Sequence, residues 1–322
     1  MAKKIILPVI TLSNFLIITS CMAIISLPTQ KFSSTQETKQ TGQISDIKNT
    51  SVIVQESVSP KSDSSPNSDT TNTNLITALS TSSSAYNNKI EELIFQKTNQ
   101  ERAKQNLPAL KQENGLIKLA QLHSKNMATY SFFAHTDNLG LSPSDRKAKY
   151  YPELFGSIGE NISYLEGYSG DEYIASEIVK GWMNSQGHKA NILSTDYTHL
   201  GVGLAISGDK IYVTQDFSDA QAILLSKIPT TVNYGDSLSF KFQFIGDFDK
   251  NKLSIFAEFP DKTQKYFTSD NYFYIGFGKY EPVWNGDLFT VTIKFDKGKG
   301  IYTLRTGKDN SFYDNGLEIN VQ

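Results

Sequence analysis

Two histidines and one glutamate of this 322-residue chain carry side chains that could together bind a metal ion or move a proton. His135 lies in Phe-Phe-Ala-His-Thr, Glu160 in Gly-Glu-Asn-Ile, and His188 in Gly-His-Lys-Ala-Asn-Ile-Leu. Two neutral imidazoles and one carboxylate leave a fourth position open for water on a tetrahedral zinc ion, as in catalytic zinc sites. The three residues lie 25 and 28 positions apart, so only a folded domain could bring them together.

These residues allow more than one interpretation. A bound zinc ion would bring the pKa of its water toward about 7 and generate a nucleophile at neutral pH. In the alternative interpretation, Glu160 binds backbone amides and holds a loop, with the histidines merely near it. The other two histidines are weaker candidates, since His123 falls on the apolar stripe of a predicted helix and His199 precedes a predicted strand. We therefore expect His123 in the core and His199 at the surface or at a sheet edge.

Short helices would have to position these residues. Apolar spacing of three and four predicts a helix that begins near Tyr86 and stops before Pro108, and a second helix after Gly115. Ser142-Pro143-Ser144-Asp145 is typical of a helix N-terminus, with a capping serine and proline at the first helical position. Ser169-Gly170-Asp171-Glu172 matches a capping box and starts a helix that should end near Gly187.

Two strands follow the helices. Residues 201–206 and 210–217 are rich in β-forming residues and are joined by Ser207-Gly208-Asp209, which predicts a hairpin. Tyr212, Thr214 and Asp216 would then share one face of the second strand. Helices combined with a small, mostly antiparallel sheet indicate an α+β sandwich.

Seven short motifs occur in one order along this region: Asn99-x-x-Arg102, Phe133-Ala134-His135-Thr136, Gly159-Glu160-Asn161-Ile162, Gly181-Trp182-Met183, Gly187-His188-x-x-Asn191-Ile192-Leu193, Gly201-Val202-Gly203 and Tyr212-Val213-Thr214-Gln215-Asp216-Phe217. In order and spacing, residues 86–221 resemble the CAP superfamily, also called the SCP domain. That family includes cysteine-rich secretory proteins, antigen 5 and pathogenesis-related 1 proteins, and the chain is most similar to its bacterial short form.

The resemblance implies an α-β-α sandwich with a central cleft lined by His135, Glu160 and His188, with Asn161, Ser185 and Asn191 in supporting positions. Family members usually carry a second glutamate where this chain has Ser185. That difference puts in doubt any mechanism that requires two carboxylates. The cystine pairs of eukaryotic members are also missing, because Cys21 is the only cysteine.

The last hundred residues differ in pattern from the CAP-like region. Residues 225–322 contain several runs in which every second residue is apolar, for example Leu238, Phe240, Phe242 and Phe244, and glycine-containing turns separate these runs. About seven short strands without a helical stretch predict an all-β, immunoglobulin-like sandwich. The segment has no histidine and no cysteine, so we expect a non-catalytic accessory domain.

The N-terminal residues predict export. After Lys3 and Lys4, residues 5–28 are uncharged, which is long enough for a membrane-spanning helix and places the rest of the chain outside the cell. An uncleaved anchor, a lipoprotein signal with Cys21 as the lipidated residue, and a cleaved secretory signal are all compatible with residues 1–28. Residues 29–85 are dominated by Ser, Thr, Asn, Gln and Lys, which predicts a disordered linker.

Two functions from different classes are compatible with this sequence. One is a binding module, tethered to the extracellular face of the membrane, whose cleft holds a divalent metal such as zinc or a small ligand and which contacts an envelope polymer, lipid or peptide. The other is a metal-assisted hydrolase acting on peptides or cell-wall polymers, so enzymatic activity is left open. The formal net charge of −2 gives no sign of a nucleic-acid partner.

Overall fold

The computed structural model describes residues 70–269, 272–309, 311–312 and 316–322. Within these residues there are five α-helices: α1 (Thr70–Ala103), α2 (Asn114–Tyr130), α3 (Pro143–Tyr150), α4 (Asp171–Asn184) and α5 (Gln186–Ile192). All five belong to the first part of the described chain, and the residues after α5 form strands and one short 3₁₀ turn, Lys250–Lys252. The predicted succession of a helical region and a β-rich region is therefore present.

The strands fall into two groups. The CAP-like region contributes β1 (Lys111–Gln112), β2 (Leu154–Phe155), β3 (Gly159–Glu166), β4 (His199–Ser207) and β5 (Lys210–Ser218), and β6 (Ala222–Leu224) follows directly after it. The C-terminal region contributes β7 (Ser237–Phe244), β8 (Leu253–Glu258), β9 (Lys265–Ser269), β10 (Tyr272–Ile275), β11 (Phe277–Tyr280), β12 (Val283–Asn285), β13 (Leu288–Lys294), β14 (Gly300–Lys308), β15 (Ser311–Phe312) and β16 (Leu317–Val321).

The CAP-like region is built in three layers around a four-stranded sheet with the order β1-β4-β5-β3. Strands β4 and β5 form the predicted hairpin, and β3 runs antiparallel along β5 as an edge strand. On one face of the sheet, α1, α4 and α5 pack through the buried residues Ile90, Ile94, Ile174, Ile178, Trp182 and Ile192. On the other face, α2 contributes Leu116, Leu119, Met127 and Ala128 to two smaller clusters.

Two glycines allow α2 to approach the sheet closely. A Cβ atom added at Gly201 would lie 2.1 Å from the carbonyl carbon of Leu116, and one added at Gly203 would lie 2.0 Å from the backbone nitrogen of Gln121. Both contacts are with helix backbone, which cannot move aside as a flexible side chain could. The Gly201-Val202-Gly203 motif therefore sets the distance between α2 and β4.

The C-terminal region forms two larger sheets. Strands β11, β8, β14, β15 and β16 make one five-stranded sheet, and β12, β13, β7, β6 and β2 make the other. The inward side chains of both sheets form one apolar core that includes Phe240, Phe242, Ile255, Phe289 and Leu304. The observed arrangement is a β-sandwich with a β9–β10 hairpin beside it. Its immunoglobulin-like identity stays a prediction.

The second of these sheets continues into the CAP-like region. Strand β6 pairs with β7 on one side and with β2 on the other, and β2 lies between α3 and β3 in the chain. Phe155 of β2 is buried in the core of the sandwich, with its ring centroid 5.6 Å from that of Phe242. The predicted division between residues 221 and 225 stays a prediction, and extensive contacts cross it.

Some expectations about the ends of elements need correction. Helix α1 begins at Thr70, so disorder is the wrong prediction for residues 70–85. A helix that has already formed can be extended without a new nucleation step, because each added residue gains one hydrogen bond. Helix α4 is capped by Gly170 without a side-chain hydrogen bond, so the capping box predicted from Ser169 is also wrong. The capping box of α3, by contrast, is confirmed, with Ser142 and Asp145 bonded reciprocally.

The predicted anchor or signal segment at residues 1–28, with Cys21, lies outside the described residues, as does the linker from 29 to 69. Among the helices that are described, none is long and apolar enough to cross a membrane.

Candidate functional site

The centre of the candidate site is a pair of acidic residues on adjacent strands. Glu160 is the second residue of β3 and lies directly opposite Asp216 of β5. The Glu160 side chain is only 1% exposed and Asp216 is 2% exposed. Two carboxylates so close together in a buried position cannot both be ionised without compensation.

Arg146 of α3 provides part of that compensation. Its Nη2 donates to Glu160 Oε2, while Nη1 donates to the backbone oxygens of His135 at 2.6 Å and of Leu141 at 3.0 Å. The arginine side chain is itself buried, with 2% exposure. Arg146 therefore pairs with the carboxylate and also holds the loop that carries His135.

His135 is the accessible member of the site. Its Nδ1 lies 2.7 Å from Oε1 of Glu160, and its side chain is 33% exposed. With Oε2 bound to Arg146, both oxygens of the carboxylate are engaged by side chains. The Nε2 atom of His135 is left for other interactions, because one ring nitrogen is held by the glutamate.

His188 approaches from α5, where two asparagines position it. Asn161 Nδ2 donates to the backbone oxygen of His188 at 3.2 Å, and Asn191 Nδ2 donates to Asn161 Oδ1 at 2.9 Å and to the backbone oxygen of Glu160 at 3.2 Å. Asn161 and Asn191 thus tie α5 to β3, in keeping with a supporting role. Burial, with a smaller contribution from His135, lowers the pKa of His188 to about 4, so its imidazole is neutral at neutral pH.

Three atoms near this centre are buried without a hydrogen-bond partner among the described residues: Nδ1 of His123, Nδ1 of His188 and Oδ1 of Asp216. Burial and the neighbouring Glu160 raise the pKa of Asp216 well above its ordinary value, and Arg146 opposes this shift. This environment disfavours the ionised form of the Asp216 carboxyl group. We call His135, Arg146, Glu160, His188 and Asp216 together the Glu160 site.

The remaining sequence candidates fall in different places. His123 is fully buried on α2, as predicted, and its Nε2 lies 3.0 Å from the oxygen of Ala134 and 3.9 Å from Oε1 of Glu160. The expectation for His199 is wrong: it is 5% exposed and begins β4, which is flanked by β1 and β5, so it lies neither at the surface nor at a sheet edge. Ser185 connects α4 to α5 with its hydroxyl buried and without a partner among the described residues.

Sequence reasoning missed Arg146 and Asp216 as members of the site. The second carboxylate lies in the Gln215-Asp216-Phe217 motif, on the strand face that the alternation predicts, and not at the Ser185 position. For Arg146 the only sequence signal is its place directly after the cap of α3. Neither signal indicates which other residues these side chains contact.

A metal ion would find a partial set of ligands here. Within the described residues, no group of three or more histidine, cysteine, aspartate or glutamate side chains is arranged to hold one. Glu160 is bound to His135 and Arg146, whereas His188 Nδ1 is a buried nitrogen without a partner. The two imidazoles therefore fit a metal better than the carboxylate does in this arrangement.

The part of the chain that carries this site matches the model of a known family. Residues 95–217 match the model of the family described as the cysteine-rich secretory protein family, CAP. Over 136 residues the chain is 40% identical to the uncharacterized protein YkwD of Bacillus subtilis (strain 168), which covers 42% of this chain and 49% of YkwD. Over 128 residues it is 35% identical to the uncharacterized membrane protein YlbC of the same strain, covering 39% of this chain and 34% of YlbC.

Among solved structures, the chain is similar to an extracellular protein containing an SCP domain from Bacillus anthracis str. Ames. The two are 33% identical with a TM-score of 0.35, and the match covers 41% of each chain. The chain thus spans about half of YkwD and a third of YlbC.

Proposed function

Residues 95–217 form a CAP domain, and from this premise we propose that the protein is an extracellular, surface-tethered binding module in which His135, Glu160 and His188 line a cleft for a small ligand or a divalent metal ion. The observation that carries the proposal is the buried Nδ1 of His188, which has no partner among the described residues. Buried polar atoms are nearly always hydrogen-bonded, so such an atom points to a group that binds there.

Zinc is the metal that these residues would suit best. Imidazole nitrogens are good zinc ligands, and His188 is neutral at neutral pH. His135 would offer Nε2, because its Nδ1 is held by Glu160, and a carboxylate behind a ligating histidine is the usual way to orient the ring. In this arrangement His135 and His188 are the ligands and Glu160 positions the first of them. A zinc ion would supply Lewis-acid chemistry to the site.

Calorimetric titration of the full chain with zinc and with magnesium tests the metal proposal. We expect zinc to bind more tightly, and His188→Ala to weaken zinc binding by about tenfold or more, since a ligand is lost. Lys189→Ala, an exposed neighbour on α5, is the matched control and should bind as the parent does. Equal affinity for the two metals, or zinc binding unchanged by His188→Ala, would contradict zinc as the ligand.

A metal-assisted or general-base hydrolase of peptides or cell-wall polymers is the second candidate. It is favoured by the position of Asp216 directly opposite Glu160, because burial and Glu160 raise the pKa of Asp216, and paired carboxyl groups can divide acid and base roles. Against it, no hydroxyl or thiol among the described residues is hydrogen-bonded to His135 as a nucleophile would be. Cleavage of peptidoglycan fragments or peptides by the full chain, lost in His135→Ala, would favour the hydrolase over the binding module.

We further propose that the N-terminal segment keeps the domain at the outer face of the membrane, as an uncleaved helix or through lipidated Cys21, and that the β-sandwich is an accessory that contacts an envelope polymer, lipid or peptide. The uncharged run of residues 5–28 supports the tether, and the names of YlbC and of the Bacillus anthracis protein agree with such a location. Cell fractionation of Cys21→Ser decides the type of anchor. Release from the membrane would indicate lipidation, and retention would indicate the helix.

A further inference from the structure

Helix α3 lies between two different environments. Arg146 contacts Glu160 on one side, whereas the next residue, Lys147, lines a groove of about 480 Å³ between α3 and the C-terminal sandwich. The other wall comes from Ile228 and from strands β14 and β16, including Thr303 and Leu317. A volume of this size is in the range of small-molecule sites. None of its lining residues belongs to the Glu160 site.

The lysine in this groove is unusual in its surroundings. Lys147 is only 4% exposed, and its ammonium makes no hydrogen bond or ion pair with any described residue. The acidic group that acts on it is Asp219, whose Oδ1 already accepts from the backbone nitrogen and the hydroxyl of Ser157. Burial lowers the pKa of Lys147 to about 8 and Asp219 opposes the shift, so the amine is still mostly protonated at pH 7.

The charged side chains near Lys147 indicate which charges a ligand of this groove should carry. Two exposed carboxylates, Asp145 and Glu318, also line the groove, while Arg305 is engaged with Glu258 at 2.9 Å. Lys147 is one of the lining residues, and its positive charge favours an anionic end of a ligand. The two acids favour a cationic end and disfavour a dianion, because like charges repel.

From this pattern we infer that the groove between α3 and the sandwich binds a zwitterion, namely an amino acid or short peptide, with the ligand's carboxylate on the Lys147 ammonium and its own ammonium facing Asp145 and Glu318. A buried charge without a partner costs stability, and a ligand carboxylate supplies both the opposite charge and the missing acceptor. The site lies outside the Glu160 site and does not depend on metal binding there.

Ligand-observed NMR with the full chain tests the inference, with glycylglycine as the zwitterion, acetate as the monoanion and inorganic phosphate as the more highly charged anion. We expect glycylglycine to bind most tightly and phosphate most weakly. Lys147→Met keeps the apolar stem of the side chain but removes the charge, and should weaken glycylglycine binding by about tenfold or more. Lys149→Met, an exposed lysine on the same helix, should leave it unchanged.

Two further measurements distinguish loss of binding from loss of folding, and binding in the groove from binding at the Glu160 site. Thermal unfolding of Lys147→Met should give a melting temperature equal to or above that of the parent, because a buried unpaired charge has been removed. His188→Ala should bind glycylglycine as the parent does, which distinguishes this groove from the Glu160 site. Tighter binding of phosphate than of glycylglycine, or equal binding by folded Lys147→Met, would overturn the inference.

Discussion

Glu160 is buried against an arginine and a histidine at once, so each partner contributes to keeping the carboxylate in the interior. The contact with Arg146 joins two side chains that are 2% and 1% exposed. Removing one member of such a pair leaves an unpaired buried charge, at a cost of about 3–5 kcal/mol. We therefore expect Arg146→Met to lower the free energy of unfolding by that amount in urea denaturation. The double variant Arg146→Met/Glu160→Gln should recover much of the loss, and a sum of independent losses would contradict the pairing.

Asp216 gives the chain a pH dependence of a definite sign. Its pKa is raised by burial and by Glu160, so the folded chain holds this proton more tightly than the unfolded chain does. A group of this kind contributes stability below its unfolded pKa, near 3.8, and the contribution is lost as the pH rises through the folded pKa. We expect Asp216→Asn, which cannot ionise, to gain stability relative to the parent as the pH rises above about 4. Unfolding curves measured from pH 4 to 8 check this, and parallel pH profiles of the two proteins would refute it.

At the residue scale, the sequence indicates which side chains could bind a metal or a proton, but it does not indicate which residues those side chains contact. His135, Glu160 and His188 could be chosen because imidazoles and carboxylates are the groups that bind metals and protons. Asp216 could be assigned to a strand face from alternation, but its position opposite Glu160 depends on the register between β3 and β5. No turn joins β3 to β5, because two helices and β4 lie between them in the chain, so no local signal fixes the register of this pair.

At the scale of helices and strands, the distance between α2 and β4 depends on Gly203. A Cβ at residue 203 would lie 2.0 Å from the backbone nitrogen of Gln121, so Gly203→Ala must push the helix away from the sheet. Overpacking of this kind costs about 1–3 kcal/mol. We expect a melting temperature lower by several degrees, measured by circular dichroism. Ser207→Ala, at the exposed end of the same strand, should change little, and an unchanged Gly203→Ala would show that α2 adjusts without cost.

Local signals also decide which helix ends could be predicted. Ser142 and Asp145 interact with each other within one turn, so the capping box of α3 can be recognised from four residues and is confirmed. The same pattern at Ser169 fails because Gly170, with φ of 90°, takes the capping position. The start of α1 at Thr70 could not be predicted either, since its polar composition gives no apolar periodicity.

At the scale of the whole molecule, the CAP-like region and the C-terminal sandwich share one sheet, and the amino-acid composition does not predict this. The change to a period-two pattern after residue 221 correctly indicates a β-rich region. It does not indicate that β6 pairs with both β2 and β7, or that Phe155 completes the core of the sandwich. Strand β2 is only two residues long, too short to give a periodic signal.

Phe155 therefore tests whether the halves unfold together. It belongs in sequence to the CAP-like region, is 1% exposed, and packs among residues of the sandwich core. We expect Phe155→Ala to lower the free energy of unfolding by about 3–5 kcal/mol. Hydrogen exchange should show weaker protection in β7 of the sandwich and also in β5 of the CAP domain, because β6 joins the two regions. Val283→Ala, at a residue 74% exposed on β12, is the control and should alter neither region. Loss of protection in β7 alone would mean that the halves unfold separately; loss in both would mean that the accessory sandwich also stabilises the domain that carries the Glu160 site.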